Sequence, residues 1–333
     1  MDPGGNPAHL ADRLDVLLSR WRPQEEAENL GETHGEASTF QLLIYTSHTY
    51  AQAISRLYRW SPFLCDIFIV VLAAVLYNMS SFTKALIAAD PAGFQRATQS
   101  PFLRRAASGT LSKATLGRWL ANDRLYIHGY VRAAGRLLSF LPLAQTTPPS
   151  PHDDTDSASK LLAWTVDALV NIQRESGFFV ETATRYGIDI NLPTGEDGRV
   201  PASAKLEGLR RFEALFDGLS AGAEPLPWLE SAVVFYGTEK CYLDAWTWAK
   251  SHMDESNDRG DDDEDGGAVR REFIANWTSP DFGAFVARLG VIVDEAVRAQ
   301  GEEMQEVLLR RGLTKWRELL VAEEAFWPAL EAQ

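Results

Sequence analysis

The sequence predicts an all-α protein, a bundle of long helices packed around one core. Three observations predict it. Apolar residues recur at three- and four-residue spacing through most of the chain from residue 81 onward. Alternating β-branched runs bounded by tight turns, the mark of strands, are nearly absent. The composition, 45% hydrophobic and 11% aromatic over 333 residues, is enough for a sizeable core.

The helical pattern covers 81–89, 98–107, 112–140, 158–186, 202–221, 227–252, 268–277, 280–299 and 301–331. Ser80 or Ser81 is a ready N-cap for the first of these, "FTKALIAA". Three stretches break the pattern: "LAQTTPPSPHDDTDSAS" at 143–159, "GIDINLPTGEDGRVP" at 187–201, and an acidic stretch at 253–267. Long helices with short links imply a bundle.

Residues 1–78 read as an extension outside the helical domain, which spans 79–333 with 253–267 as a loop insertion. Residues 1–40 are polar, rich in Gly, Pro and Glu, and read as mostly disordered. The run "PFLCDIFIVVLAAVLY" at 62–77 is apolar but shorter than the ~20 residues a membrane span needs, and Asp66 interrupts it. It also lies too far from the N-terminus for a signal peptide. "MSSFTKAL" from Met79 reads as a natural start. The upstream piece then reads as an organelle-targeting extension or an extended gene model, with a membrane anchor as the alternative, and the helical domain as cytoplasmic.

A net charge of −14 argues against nucleic acid and anionic membranes as partners. Much of the excess sits in "MDESNDRGDDDED" at 253–265, which reads as a solvated loop and lacks EF-hand spacing. Cys65 and Cys241 are far apart with no CxxC, which fits a reducing compartment. HExxH, GxGxxG and GxxxxGK[ST] are absent, so metal, dinucleotide and P-loop sites have no sequence support. His128 lies within a helical core segment and reads as a partly buried, satisfied histidine.

Candidate chemistry comes from acids set among aromatic rings. Trp119, Asp123, Tyr126 and Tyr130 fall at i, i+4, i+7 and i+11, one stripe of a helix. In "GTEKCYLDAWTWAK", Glu239, Tyr242 and Trp246 share a face, and Cys241 points elsewhere. In "WRELLVAEEAFWPAL", Glu323 shares a face with Phe326, while Glu324 faces solvent. A buried carboxylate needs a partner or a ligand. Three unrelated pairs inside the bundle would satisfy these acids. So would one shared pocket, which would suit a flat, polar heteroaromatic ligand: rings stack on rings, and carboxylates accept from amino groups. Carboxyls in apolar surroundings also gain the raised pKa that acid–base catalysis uses.

Five segments, in order, resemble the TenA family, thiaminase-II-like proteins of the haem-oxygenase-like fold. They are "ATQSPFLRRAASGTLS" (97–112), "LGRWLANDRLYIHGY" (116–130), "NIQRESGFFVETATRYGIDI" (171–190), "FIANWTSPDFGAFVARLGVIVDE" (273–295) and "LLVAEEAFWPAL" (319–330). Asn122 stands where the family usually has Gln. The resemblance implies a haem-oxygenase-like helical bundle and a homo-oligomer. The main TenA branch has a catalytic cysteine on the helix of residues 227–252; a second branch, of plants, fungi and some bacteria, has glutamate in the pattern "E..YLEAW". Here the text is "EKCYLDAW", so the resemblance assigns the active position to Glu239 rather than Cys241.

Further roles follow by resemblance. Asp123 matches the residue that binds the pyrimidine ring nitrogen and amino group, and Tyr126 the ring-stacking aromatic. Tyr242 matches the phenol at the reacting centre, where it would orient Glu239, and Glu323 the carboxylate that moves the second proton. Two further pocket tyrosines are replaced, by Phe212 or Phe216 and by Trp277; Trp246 joins the binding set through the face it shares with Glu239. The implied activity is hydrolysis of an amino or formylamino group from an aminomethyl-pyrimidine, a thiamine breakdown product, with no metal or cofactor. A TenA-like module that binds a small heteroaromatic ligand without turnover is the alternative. Haem oxygenases share the fold but need an axial histidine near its start, and none occurs between 79 and 127.

Overall fold

A computed structural model describes residues 81–146, 156–253 and 262–330. The extension read at 1–78, with its apolar run, lies outside the described residues, as do 254–261 of the acidic stretch. The described chain is helical, and no strand occurs among its residues. None of its helices is long and apolar enough to cross a membrane.

Most helices begin the same way, with a short polar cap followed by proline or a helix former. Helix α1 (Phe82–Ala89) is capped by Ser81, whose Oγ accepts from the Lys84 amide. Helix α2 (Pro91–Thr98) is capped by Asp90 with Pro91 in its first turn. The sequence reading left most of this stretch outside a helix, because two turns are too short for a periodic signal. Helix α3 (Pro101–Ser108) is capped by Ser100 and ends at Gly109, whose φ of 70° is left-handed. Helix α4 (Lys113–Ser139) starts at Ser112, and helix α5 (Ser157–Tyr186) starts at Asp156 and stops at left-handed Gly187.

The segment read as a helix over 202–221 is shorter. A 3-10 turn at Ala202–Ala204 precedes helix α6 (Glu207–Asp217). The side chain of Asn122 accepts from the Leu206 amide at 2.8 Å, so this residue fastens the connection to α4. Helix α7 (Leu229–Ser251) is buried almost all round in its first half and packs against α2 and α3. A π-helical turn at Val269–Phe273 runs into helix α8 (Ile274–Trp277). Helices α9 (Pro280–Arg298) and α10 (Glu302–Glu324) complete the bundle, and α8, α9 and α10 also pack on α7. The last helix stops at Glu324, short of 331, because Pro328 excludes continuation. The turn that follows is held by Trp327, whose Nε1 donates to Ala97 O at 2.7 Å.

Two glycines allow close approaches that shape the site. A Cβ on Gly208 would lie 2.3 Å from the Phe326 backbone nitrogen, so α6 can lie against the end of α10. A Cβ on Gly237 would meet Leu319 at 2.5 Å, which brings α7 close to α10.

The acidic stretch is not solvated throughout. Asp263 and Asp265 are buried. Asp263 pairs with Arg270 at 3.2 Å, and the two carboxylate oxygens of Asp265 accept from the Gly267 and Val269 amides at 2.9 and 2.8 Å. These acids start the helical segment that carries Trp277, which is why they are buried. Asp265→Ala is therefore expected to lower stability by about 1–3 kcal/mol in urea unfolding, the cost of leaving the buried Gly267 and Val269 amides without their acceptor. His128, read as partly buried, is exposed on α4. It sits one residue from buried Ile127, and a step of one residue turns a helix by about 100°.

Candidate functional site

The helices enclose a cavity of about 620 Å³ lined by residues of α4 to α10. Its inner wall is aromatic: Tyr126 and Tyr130 of α4, Phe212 of α6, Trp277 of α8 and Phe326 just past α10. Six carboxyl side chains line it: Glu181 (α5) and Asp281 (α9) are exposed, and four are buried or half-buried on four helices, Asp123 (α4), Glu175 (α5), Glu239 (α7) and Glu323 (α10). No Lys, Arg or His among the described residues lies within ion-pair distance of any of the four. Nor do three His, Cys, Asp or Glu side chains among the described residues converge as a metal site would require.

Three of the acids are each held by one ring donor. The Tyr242 hydroxyl donates to Asp123 Oδ2 at 2.8 Å. The Tyr130 hydroxyl donates to Glu239 Oε1 at 2.7 Å. The Trp277 indole donates to Glu175 Oε1 at 2.6 Å. Glu323, only 4% exposed, accepts no hydrogen bond from any described group and faces the cavity. A buried, unpartnered carboxyl turned into a cavity is a position left for a ligand.

Burial without cations raises the pKa of all four groups. Desolvation, and then the neighbouring charge of Glu175, push Asp123 well above the carboxylate range, against the Tyr242 bond. Burial pushes Glu239 up to about 8, with Tyr130 opposing and Glu175 adding to the rise. Burial pushes Glu175 to about 7, with the Trp277 bond opposing. Burial, then Asp123 and Glu239, drive Glu323 well up. Glu239 meets cavity space rather than bulk water, so its partial exposure does not relieve the desolvation.

These shifts have a consequence for stability. A carboxyl whose folded pKa is raised binds more protons folded than unfolded, so its contribution is complete at low pH and is lost as pH rises through the folded pKa. The ligand-free protein is expected to lose thermal stability between roughly pH 4.3, the unfolded value, and about pH 8, the folded value of Glu239. Glu239→Gln should flatten that decline, and a scan of Tm against pH checks both.

The residues expected from sequence meet here with two corrections. Asp123, Tyr126, Phe212, Glu239, Tyr242, Trp277 and Glu323 all line the cavity. Trp246 does not; it is fully buried behind the wall, its ring 4.7 Å from that of Trp277 and 6.1 Å from that of Tyr242. Helical spacing puts it on the right face, but a full turn beyond Tyr242, in the core. Tyr242 holds Asp123 rather than orienting Glu239; the phenol on Glu239 is Tyr130. Cys241 is buried, stays off the lining, and burial with the Glu323 charge pushes its thiol well up, which leaves it unreactive. Glu175 was missed as a site residue, although it stands in "NIQRESGFFV" four positions before buried Phe179. Its neighbours Arg174, Ser176 and Gly177 give no amphipathic signal that its side chain turns inward.

Fold and cavity together define a helical protein with an enclosed pocket of carboxyl groups and aromatic rings. The chain has the haem-oxygenase-like fold of the TenA proteins. A TenA homologue from Pyrococcus furiosus superimposes with a TM-score of 0.53 and 24% identity, over 74% of this chain and 98% of that one. A TenA family transcription regulator from Silicibacter sp. TM1040 does so with a TM-score of 0.53 and 14% identity, over 74% of this chain and 94% of that one. A curated protein described as a probable transcription factor, from Fusarium pseudograminearum (strain CS3096), is 26% identical over 230 residues. That match takes in 61% of this chain but 43% of the relative, so the chain spans less than half of that protein. No protein-family model matches the chain.

Proposed function

We propose that the protein is an aminopyrimidine hydrolase of the glutamate-bearing TenA type, acting on aminomethyl-pyrimidine breakdown products of thiamine. One observation supports this above others: Asp123 and Glu239 face one aromatic cavity, each tied to a phenol and neither to a cation. A neutral carboxyl such as Asp123 offers one donor and one acceptor, the complement of a ring nitrogen beside an amino group. The Tyr126 ring supplies a flat wall for a heteroaromatic ring.

In the reaction, water attacks the exocyclic carbon, a C–O bond forms, and the C–N bond breaks with its electron pair on nitrogen. Glu239, protonated at neutral pH, gives its proton to the leaving nitrogen. Glu323, also protonated, donates a hydrogen bond to the bound ligand and keeps its proton, while a carboxylate of the cavity takes the proton that the attacking water gives up. The phenols hold Asp123 and Glu239 before substrate arrives, so little reorganisation is needed there.

Purified protein incubated separately with thiamine, formylaminopyrimidine and aminopyrimidine tests the reading. Hydroxymethyl-pyrimidine with ammonia from the aminopyrimidine is the expected product, and no turnover of any of the three would refute it. A second reading, a ligand-binding module without turnover, is favoured by the descriptions of the Fusarium and Silicibacter proteins as transcriptional. It predicts a thermal shift with aminopyrimidine and no product.

A further inference from the structure

We infer that Glu175 is the general base of this site, taking the proton of the attacking water while Glu239 protonates the leaving nitrogen. The inference rests on the hydrolase reading above, and it concerns a residue that neither the sequence pattern nor that reading uses.

Position comes first. The exposed lining residues, Arg174, Gly177, Glu181, Asn276 and Asp281, come from α5, α8 and α9, so the cavity opens there. The polar lining residues Asp123, Tyr130, Thr238 and Glu323, of α4, α7 and α10, are all buried. Glu175 is half-buried on α5, where the mouth meets this interior, on the side from which water enters. Its Oε1 is occupied by the Trp277 indole, and no described group donates to its second oxygen. Glu239 is built alike, with Oε1 held by Tyr130 and its other oxygen without a described donor. Each thus lines the same cavity with one carboxyl oxygen that has no described donor.

Ionisation separates the roles. Of the four carboxyls Glu175 is raised least, to about 7, so it is the one most available as a carboxylate at neutral pH. Its surroundings explain this. Asp123 and Tyr130 face it from α4, Glu239 and Tyr242 from α7, Trp277 from α8, Asp281 from α9, and Arg174 and Glu181 flank it on its own helix. Glu323 lines the same cavity from α10. Asp123, Glu239, Glu323 and the phenols of Tyr130 and Tyr242, which burial holds protonated, add little repulsion to its charge.

The proton balance closes within the pair. Water gives its proton to Glu175 and its oxygen to carbon; nitrogen leaves with the bond's electron pair and the proton of Glu239. Turnover ends with Glu175 protonated and Glu239 ionised. Passing one proton from Glu175 to Glu239 resets the site.

Glu175→Gln tests this on the full chain, beside Glu175→Asp and wild type. With Gln, kcat should fall roughly 10²–10⁴-fold while equilibrium binding of aminopyrimidine stays within about threefold. The acid limb of the kcat/KM profile, near pH 7 in wild type, should vanish with Gln and persist at reduced rate with Asp. Unchanged kcat in Glu175→Gln, or an acid limb that survives it, overturns the assignment and leaves the hydrolase reading standing. Wild type without turnover overturns both. If Glu175→Gln fails to fold, Glu175→Asp decides: a wild-type rate with an unshifted acid limb there counts against the base role.

Discussion

Glu239→Gln is expected to lower kcat by roughly 10²–10⁴-fold while aminopyrimidine binding is retained, because the change removes a proton-transfer group and little else. The amide oxygen still accepts from the Tyr130 hydroxyl, which lies 2.7 Å from Glu239 Oε1, so the side chain keeps its place. What it loses is the proton that burial holds on the carboxyl up to about pH 8. Cys241→Ser, two positions along, should leave kcat close to wild type. That side chain is buried off the cavity, and its thiol is pushed well above the range where a thiolate would form. Steady-state kinetics on both variants, with binding followed by the fluorescence of wall residue Trp277 and its neighbours, separates the two. Full activity in Glu239→Gln, or its loss in Cys241→Ser, would sink the glutamate assignment.

Trp119→Ala is expected to cost about 3–5 kcal/mol of stability, among the largest effects of any single substitution in the core. The indole is wholly buried and is the hub of the aromatic layer behind the cavity. Its ring stacks on Trp327 at 5.8 Å and on Tyr242 at 6.2 Å, and meets Phe102, Trp246 and Trp277 at 5.4, 5.5 and 5.8 Å. Its Nε1 has no hydrogen-bond partner among the described residues, so its contribution there is packing. Trp119→Phe, which keeps part of the stack, should cost less. The loss should reach the site as well, since Tyr242 and Trp277 rest on this ring and hold Asp123 and Glu175. Urea unfolding with ligand titration measures both; a loss below about 1 kcal/mol would show that the cluster is looser than these distances imply.

Much of the site was legible because helical spacing is a local rule. Asp123 with Tyr126 and Tyr130, and Glu239 with Tyr242, are neighbours on a helix face whatever surrounds it. The places where the reading slipped are those where a second element decides. Trp246 shares the face of Glu239 yet ends in the core, because Trp277 of another helix covers it. Tyr242 is one turn from Glu239, but its hydroxyl reaches across to α4 and Asp123. Asp263 and Asp265 look like part of a charged loop until Arg270 and the start of the next helical segment pair with them.

By itself the sequence determined that the chain is helical, where most helices start and stop, and which acids stand among rings. Those properties follow from periodicity, Ser, Asp and Pro at the caps, and glycine at Gly109 and Gly187, all set within a few residues. Only the tertiary structure decided that the four buried or half-buried carboxyls, from four helices, share one cavity, that Glu175 is among them, and which ring holds which acid. Those depend on how helices cross, on Gly208 and Gly237 permitting close approach, and on desolvation that no single helix can produce. The raised pKa values belong to the assembled cavity, because a carboxyl loses its water only when the other helices enclose it.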